Sequence, residues 1–298
     1  MKYFAGIEAG GTKFVCSIGD DNGTIIKRHS ILTNSPSETI PAIIEFFKPY
    51  HDQLLSLGIG AFGPVDLNKT SPTYGHITHT PKTQWKNFNF LGAMKAEFDV
   101  PMEFDTDVNV AALGEHTWGE AQNLENFLYI TVGTGVGVGG MINGKLMHGL
   151  THPEMGHIPL RKSPSERPDF EGICPYHKDC LEGLAAGPAI NTRWNVDHSS
   201  LLKPEHIAWD IESDYLAHAV VSYILICSPQ KIIMGGGVMN QSQLFPMIHD
   251  KVKKLLNGYI KHPSIIDHIN QYIVPPGLGD NAGCLGAIAL AQLAYQKR

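Results

Sequence analysis

Two glycine turns that run into strands rather than helices constrain this chain more than any other feature. Gly10-Gly11-Thr12 lies between the apolar stretches 3–7 and 13–19, and Gly133-Thr134-Gly135 lies between Phe127–Val132 and Val136–Ile142. Both patterns read as β-hairpins. A third strand follows each, Ile25–Ile31 in the first half and Lys145–Met147 in the second. The pattern then predicts helix Ser37–Leu55, strand Leu57–Phe62, a loop-rich stretch over 64–90, helix Leu91–Phe98, strand Val100–Asp107 and helix Val108–Trp118. The second half continues through an irregular stretch at 149–182, helices near 183–195 and 210–227, and strand Lys231–Met234. Helix 241–258, strand Gln271–Val274 and helix Asn281–Gln296 complete it. A repeated order of hairpin, third strand and α/β units points to an α/β fold duplicated within one chain.

Glycine is abundant as well as placed, at 31 of 298 residues, above the usual ~7%. It clusters at 6–11, 133–140, 235–237 and 277–286, where backbone must turn tightly or approach a ligand closely. The remaining composition excludes other classes. A hydrophobic fraction of 43% with 17% charged residues can bury a core. A net charge of −6 argues against a protein that grips nucleic acid or anionic lipid. No apolar run approaches the roughly 20 residues of a membrane span, and the N-terminal residues leave no room for a signal peptide. Five cysteines in so long a chain do not make a disulfide scaffold. These readings together predict a cytoplasmic protein with reduced thiols.

Gly6-Ile7-Glu8-Ala9-Gly10-Gly11-Thr12-Lys13 is not a P-loop, because its Thr-Lys leads into a strand. It can still offer backbone N–H groups and one ammonium to phosphate oxygens; a plain hairpin turn with an exposed lysine fits it equally well. Gly135, Gly137 and Gly140 match G-x-G-x-x-G, but a hairpin follows where a dinucleotide fold needs a helix. Two opposed glycine-threonine hairpins suit two phosphate loops closing on one nucleotide, the alternative being small residues for close sheet packing. Asp107 ends a strand where α/β units face their ligand crevice. There it can take a hydroxyl proton, cap the helix Val108–Trp118, or do both.

Cys174-x-x-His177-x-x-Cys180, with His157 upstream, carries the spacing of a metal site. Two Cys and two His suit tetrahedral zinc, and the apolar-poor flank 164–168 needs such a centre to order it. A redox pair or scattered surface residues leave the spacing unexplained. Glu154 and Glu182, beside that loop, are candidates to hold sugar hydroxyls, the alternative being the usual one of solvated acids in a loop. His76, His79, His148 and His152 lack ligand spacing and read as solvated or hydrogen-bonded, while Cys16, Cys227 and Cys284 read as core.

With these motifs assembled, the chain resembles the ROK family (repressors, open reading frames, kinases), and within it the bacterial fructokinases, over essentially its whole length. The resemblance rests on Gly6–Lys13, Asp107 before Val108–Glu115, Thr131–Gly139, Glu154-Met155-Gly156-His157, Cys174–Glu182, Gly235–Val238 and Gly279–Gly283. It implies an actin-like ATPase (ribonuclease H-like) fold, two duplicated α/β domains with a sugar cleft between them. The domains would be 1–118 and 119–283, the second with a zinc-ordered loop at 149–182. The C-terminal helix 284–298 would return to pack on the first.

The implied activity is transfer of the ATP γ-phosphoryl group to the 6-hydroxyl of D-fructose. Mannose, glucose and N-acetylmannosamine are alternative substrates, and a sugar-responsive regulator is the alternative class. Such regulators carry a DNA-binding segment before the glycine loop, which here begins at residue 6. Carried over by matching residues, Asp107 would be the general base. Thr106, Glu154, His157 and Glu182 would hold the sugar. Gly10, Gly11, Thr12 and Lys13, with Thr131, Gly133, Thr134 and Gly135, would cradle the ATP phosphates. Gly235, Gly236, Gly237, Val238 and Pro188 would line the adenosine side. Mg²⁺ would accompany ATP, a structural Zn²⁺ would sit on His157, Cys174, His177 and Cys180, and the enzyme would be a homodimer with no nucleic-acid or membrane partner. Three positions depart from the common family pattern: Glu8 stands for Asp, Thr106 for Asn and His177 for Cys. The first and third are features of the fructokinase branch and favour fructose over glucose.

Overall fold

A computed structural model describes residues 2–297; Met1 and Arg298, at the outer ends of the expected spans 1–118 and 284–298, lie outside the described residues. The first sheet opens with β1 (Tyr3–Ala9), β2 (Lys13–Gly19) and β3 (Ile25–Leu32), an antiparallel meander. Helix α1 (Pro36–Phe47) crosses over to β4 (Leu54–Ala61), which runs parallel to β1. A small hairpin of β5 (His76–Ile77) and β6 (Phe88–Asn89) precedes α2 (Phe90–Glu97), and β7 (Met102–Thr106) then pairs parallel to β4. Helix α3 (Asp107–Trp118) leaves the carboxyl end of β7. The sheet order is β3-β2-β1-β4-β7.

The second half repeats the scheme. β8 (Phe127–Val132), β9 (Val136–Ile142) and β10 (Lys145–Leu146) form the meander. Helices α4 (Leu181–Ala185), α5 (Gly187–Trp194) and α6 (Ile207–Cys227) lead to β11 (Lys231–Gly235), parallel to β8. Helices α7 (Leu244–Leu256), α8 (Pro263–Ile266) and α9 (Ile269–Tyr272) lead to β12 (Ile273–Val274), parallel to β11. The order β10-β9-β8-β11-β12 matches the first sheet strand for strand, so the duplication expected from the two hairpins holds at the level of topology.

Helix α10 (Ala282–Gln296) lies on β1 and β4 of the first sheet and against α3, while α3 also packs on β9 of the second. These two helices are the layer between the sheets. Their sequences are rich in Gly and Ala because the approach is close. A Cβ on Gly286 would fall on the Val110 carbonyl oxygen, and one on Gly114 would lie 2.6 Å from the Ala282 oxygen. The outer faces carry the larger side chains: Ile43, Phe47, Trp85 and Phe90 on the first sheet, Trp209, Tyr215 and Tyr223 on the second. Each such fully buried apolar side chain contributes about 1.5–3 kcal/mol.

Several expected boundaries shift for local reasons. The helix read as Ser37–Leu55 stops at Phe47, because Pro49 falls in the 3₁₀ turn Lys48–Gln53 and Leu54 already starts β4. The helix read over 183–195 is two, broken at Ala186, whose extended backbone (ψ 153°) precedes Gly187-Pro188. The helix read over 241–258 ends at Leu256, where Asn257 turns left-handed (φ 46°). Gln271 and Tyr272 belong to α9, leaving only Ile273–Val274 as strand.

Candidate active site

The two glycine turns open at the carboxyl ends of β1 and β8 and meet. Gly10 N–H donates to Lys13 O at 3.0 Å to close the first, and Gly133 N–H donates to Gly135 O at 2.8 Å in the second. The Thr33 hydroxyl, arriving from the end of β3, holds the Gly10 carbonyl at 2.8 Å. Across the gap, the Thr12 and Thr134 hydroxyls lie 3.0 Å apart. Gly11, Thr12 and Lys13 are exposed or nearly so at this mouth. Lys82, from the long loop before α2, reaches over the first turn, its Cε 3.6 Å from the point a Gly11 Cβ would occupy.

The second turn rests on a shelf built from three segments. Thr131 pairs with Gly235 across β8 and β11. Gly236 has φ +92° and lies so close to Val132 that no side chain fits. Gly187 N–H donates to Gly133 O at 2.8 Å, so α5, with Pro188 at its second position, begins on the turn. Val238 packs 3.7 Å from the Gly187 Cβ position, and Gly237 opens a 3₁₀ turn beside it. Thr131, Gly133, Pro188, Gly235, Gly236, Gly237 and Val238 thus gather at the carboxyl ends of two parallel strands, the usual place for a ligand crevice.

Asp107 sits beneath the turns. The capping reading moves one residue back: Thr106 is the N-cap of α3, its hydroxyl accepting from Asn109 N–H at 3.2 Å, and Asp107 is the first helical residue. Strand β7 therefore ends at Thr106, one residue before Asp107. Asp107 Oδ1 accepts from Val108 N–H at 2.9 Å, leaving Oδ2 for a ligand. Desolvation raises its carboxyl to about 6 despite that bond. Glu8 is raised to about 7 by burial and then by the Asp107 charge. Its carboxyl abuts Gly283, near the start of α10. Glu154 is raised to about 7, first by burial and then by Glu182 and Asp107. Several acids therefore face one space, an arrangement typical of functional sites.

His157, Cys174, His177 and Cys180 come together as the spacing predicts, with one candidate ligand atom from each lying within 4.8 Å of all the others. His157 Nδ1 lies 3.7 Å from Cys174 Sγ and 3.5 Å from Cys180 Sγ, and His177 Nδ1 lies 3.8 Å from Cys174 Sγ. Tetrahedral zinc bonds of ~2.3 Å to sulfur and ~2.05 Å to nitrogen set the ligand atoms about 3.6 Å apart, so the four groups fit such an ion. His157 Nε2 points the other way, 3.9 Å from Glu182 Oε1, the carboxylate placement that orients many metal-bound imidazoles. Glu182 Oε2 accepts from Val136 N–H at 3.0 Å, next to Gly135. One carboxylate thus links the Cys/His cluster to the second glycine turn.

Asp105 and Asn109 were missed as groups that hold this arrangement, and His148 and His152, read as solvated or hydrogen-bonded, are hydrogen-bonded to partners the sequence does not name. Asp105 Oδ2 pairs with His148 Nε2 at 2.7 Å, and Asp105 Oδ1 accepts from Asn109 Nδ2 at 2.9 Å. Asn109 also bonds Met147 O at 3.1 Å and Gly140 N–H at 3.1 Å. His152 Nε2 accepts from Val65 N–H at 3.0 Å. The available signal was composition alone: two histidines four positions apart, His148 and His152, followed by an acid, Glu154.

Similarity to known proteins agrees with this geometry. The sequence profile of the ROK family matches residues 4–294. A putative fructokinase of Bacillus subtilis (strain 168) is 50% identical over 291 residues, 98% of this chain and 96% of that protein. A fructokinase of Pediococcus pentosaceus is 46% identical, covering 97% of this chain and 98% of its own. The crystal structure of a ROK hexokinase from Thermus thermophilus superposes with a TM-score of 0.76 at 22% identity, over 99% of this chain and 100% of that one. The fold shared with that hexokinase is the actin-like ATPase fold.

Proposed function

The chain belongs to the ROK family, and from that premise we propose that it is an ATP-dependent fructokinase, transferring the γ-phosphoryl group to the 6-hydroxyl of D-fructose. The convergence of Asp107, Glu154 and Glu182 below two facing glycine turns is the observation that carries the reading, and full-length likeness to fructokinases favours fructose among the hexoses. In this reading Gly10, Gly11, Thr12 and Lys13 hold the phosphates from one side and Thr131, Gly133, Thr134 and Gly135 from the other. Pro188 and the Gly235–Val238 shelf support the adenosine. Thr106, Glu154, His157 and Glu182 hold the sugar.

Asp107 acts as the base. Oδ1 is tied to the Val108 N–H, so Oδ2 takes the proton as the sugar oxygen bonds to the γ-phosphorus and the bond to the β-phosphate oxygen breaks, releasing ADP. A carboxyl raised to about 6 is ionised at neutral pH and still a stronger base than an ordinary aspartate. Positioning and charge neutralisation do most of the remaining work in such transfers. Mg²⁺ bound with ATP would supply that neutralisation, and Glu8, whose carboxyl lies beside Asp107, is an oxygen donor for it. The Cys/His cluster holds a structural zinc that orders residues 149–182. The domains are 1–118 and 119–283, with α10 returning to the first. The protein works as a homodimer in the cytoplasm, where ATP is supplied.

A coupled assay of ADP release over a panel of hexoses and N-acetylhexosamines tests the proposal. Fructose should give the highest kcat/KM, and ³¹P NMR of the product should place phosphate on O6. Preference for glucose or N-acetylmannosamine overturns the substrate; no sugar-dependent ADP release overturns the kinase reading.

A further inference from the structure

His152 contacts the first half of the chain with one ring nitrogen and the acid beside the cleft with the other. Its side chain is 5% exposed and lies against Gly63, where an added Cβ would stand 3.0 Å from Cε1. The Val65 backbone N–H donates to Nε2 at 3.0 Å, so Nε2 presents a lone pair and carries no proton. Burial lowers the ring's affinity for a second proton, with the Pro153 carbonyl, Asp105 and His148 as smaller influences. The ring is therefore neutral, and its single proton is on Nδ1. Nδ1 faces Glu154 Oε1 at 3.6 Å, longer than a hydrogen bond, with the Pro153 carbonyl as the acceptor nearer to hand, so the bond to Glu154 forms only when the carboxylate closes in on the ring.

We infer that His152 is a positioning residue for the sugar site: clamped by Val65 as the Nδ1–H tautomer, it holds Oε1 of Glu154 and leaves Oε2 free for a sugar hydroxyl. The inference rests on the reading that Glu154 binds sugar. Glu154 needs such a partner because its charged neighbours, Glu182 and Asp107, repel its ionised form. A donor fixed to one oxygen favours the carboxylate and selects one of its rotamers, and bonds of this kind shorten when substrate fills the site. Val65 follows β4 of the first sheet, whereas Glu154 follows β10 of the second. His152 thus sets the acid relative to the half of the chain that carries Asp107.

Two substitutions separate the two contacts. A glutamine at 152 can keep an acceptor within reach of the Val65 N–H but loses the donor at the Nδ1 position. An asparagine keeps an amide donor near Nδ1 but cannot reach Val65. We expect His152→Gln to raise the KM for D-fructose about 10-fold or more, the effect of losing a hydrogen bond to a charged group. The KM for ATP should stay unchanged, and His152→Asn should recover part of the loss. In the unaltered protein, the ¹⁵N signals of this ring, identified by their absence in His152→Gln, should show Nδ1 protonated and Nε2 unprotonated. A ring protonated on Nε2, or an unchanged fructose KM in His152→Gln, overturns the inference. Glu154→Gln tells its failure from that of the reading beneath it. A raised fructose KM in Glu154→Gln but not in His152→Gln sinks only the role of His152, whereas an unchanged KM in Glu154→Gln removes Glu154 from the sugar and sinks both.

Discussion

The hydroxyls of Thr12 and Thr134, 122 residues apart in the chain, lie 3.0 Å from each other. Each belongs to the glycine turn of a different sheet, so this hydrogen bond spans the two copies of the duplicated fold where their strand ends converge. Phosphate oxygens entering between the turns would accept from both hydroxyls and replace one weak bond with two charge-assisted ones.

Thr134→Val should therefore raise the KM for ATP. Losing a hydrogen bond to a charged group, about 1.5–3 kcal/mol, corresponds to an increase of roughly 10- to 160-fold, with the fructose KM unchanged; Thr12→Val should behave alike. Steady-state kinetics with each substrate varied in turn makes the check. Unaltered ATP constants in both variants would mean that the hydroxyls serve only each other.

Asp107 links activity, stability and pH through one carboxyl. Its pKa in the folded protein is about 6, above the ordinary 3.8, because burial penalises the charge. On the proposed reading both Asp107, at about 6, and Glu154, at about 7, must be ionised, so kcat/KM for fructose should rise with pH through about 6 to 7 and then level. The folded state keeps this proton over a range where the unfolded chain releases it, so stability falls as pH rises from near 4 to near 6 and stays reduced above. Asp107→Asn should lower turnover at least ~10²-fold yet raise the melting temperature at pH 7. A pH–rate profile and calorimetry test both halves; a variant that is inactive and also melts lower would make the residue structural.

The features legible in the sequence were those whose physics is local. Glycine turns between apolar runs announce hairpins, and Cys174, His177 and Cys180 fall within seven residues, so both were found without knowing what lies across the fold. The helix end at Phe47 was missed because apolar spacing continues through Leu54, although Pro49 interrupts the backbone. Thr106 and Asp107 exchanged capping duty because a one-residue shift of the strand end is invisible to a period-two pattern. His148 and His152 looked like loop histidines since their partners, Asp105 and Val65, are 43 and 87 residues away. Long-range partners leave no trace in one sequence.

Removing the proposed zinc should act on sugar more than on nucleotide. The purified protein should carry zinc at near-stoichiometric level by atomic absorption, and Cys174→Ser should lose most of it. The loop that the cluster holds carries Glu154, and His157 contacts Glu182, so the fructose KM should rise more steeply than the ATP KM. The melting temperature should fall, as a metal that folds its own site stabilises it directly. Full sugar affinity in zinc-free protein would detach the cluster from the site.

The crossing of α3 and α10 offers a test remote from any ligand. Gly286 faces the Val110 carbonyl oxygen with no room for a Cβ, and Gly114 faces Ala282 and Gly286 on the return side. Both neighbours are helix backbone, which cannot rotate away as a side chain can. Gly286→Ala gains helix propensity, ~1 kcal/mol in an open position, but here must push two helices apart in a layer that touches both sheets. Overpacking of this kind costs about 1–3 kcal/mol. The net effect should be a lower melting temperature, by a few degrees at ~2–4 °C per kcal/mol. Because α3 starts at Asp107, the displacement should also reach the base and lower kcat while the KM for ATP holds. Calorimetry and steady-state kinetics on Gly286→Ala check both effects. An alanine that raised the melting temperature would show that the helices have slack, and the close crossing would then not be what fixes the two sheets to each other.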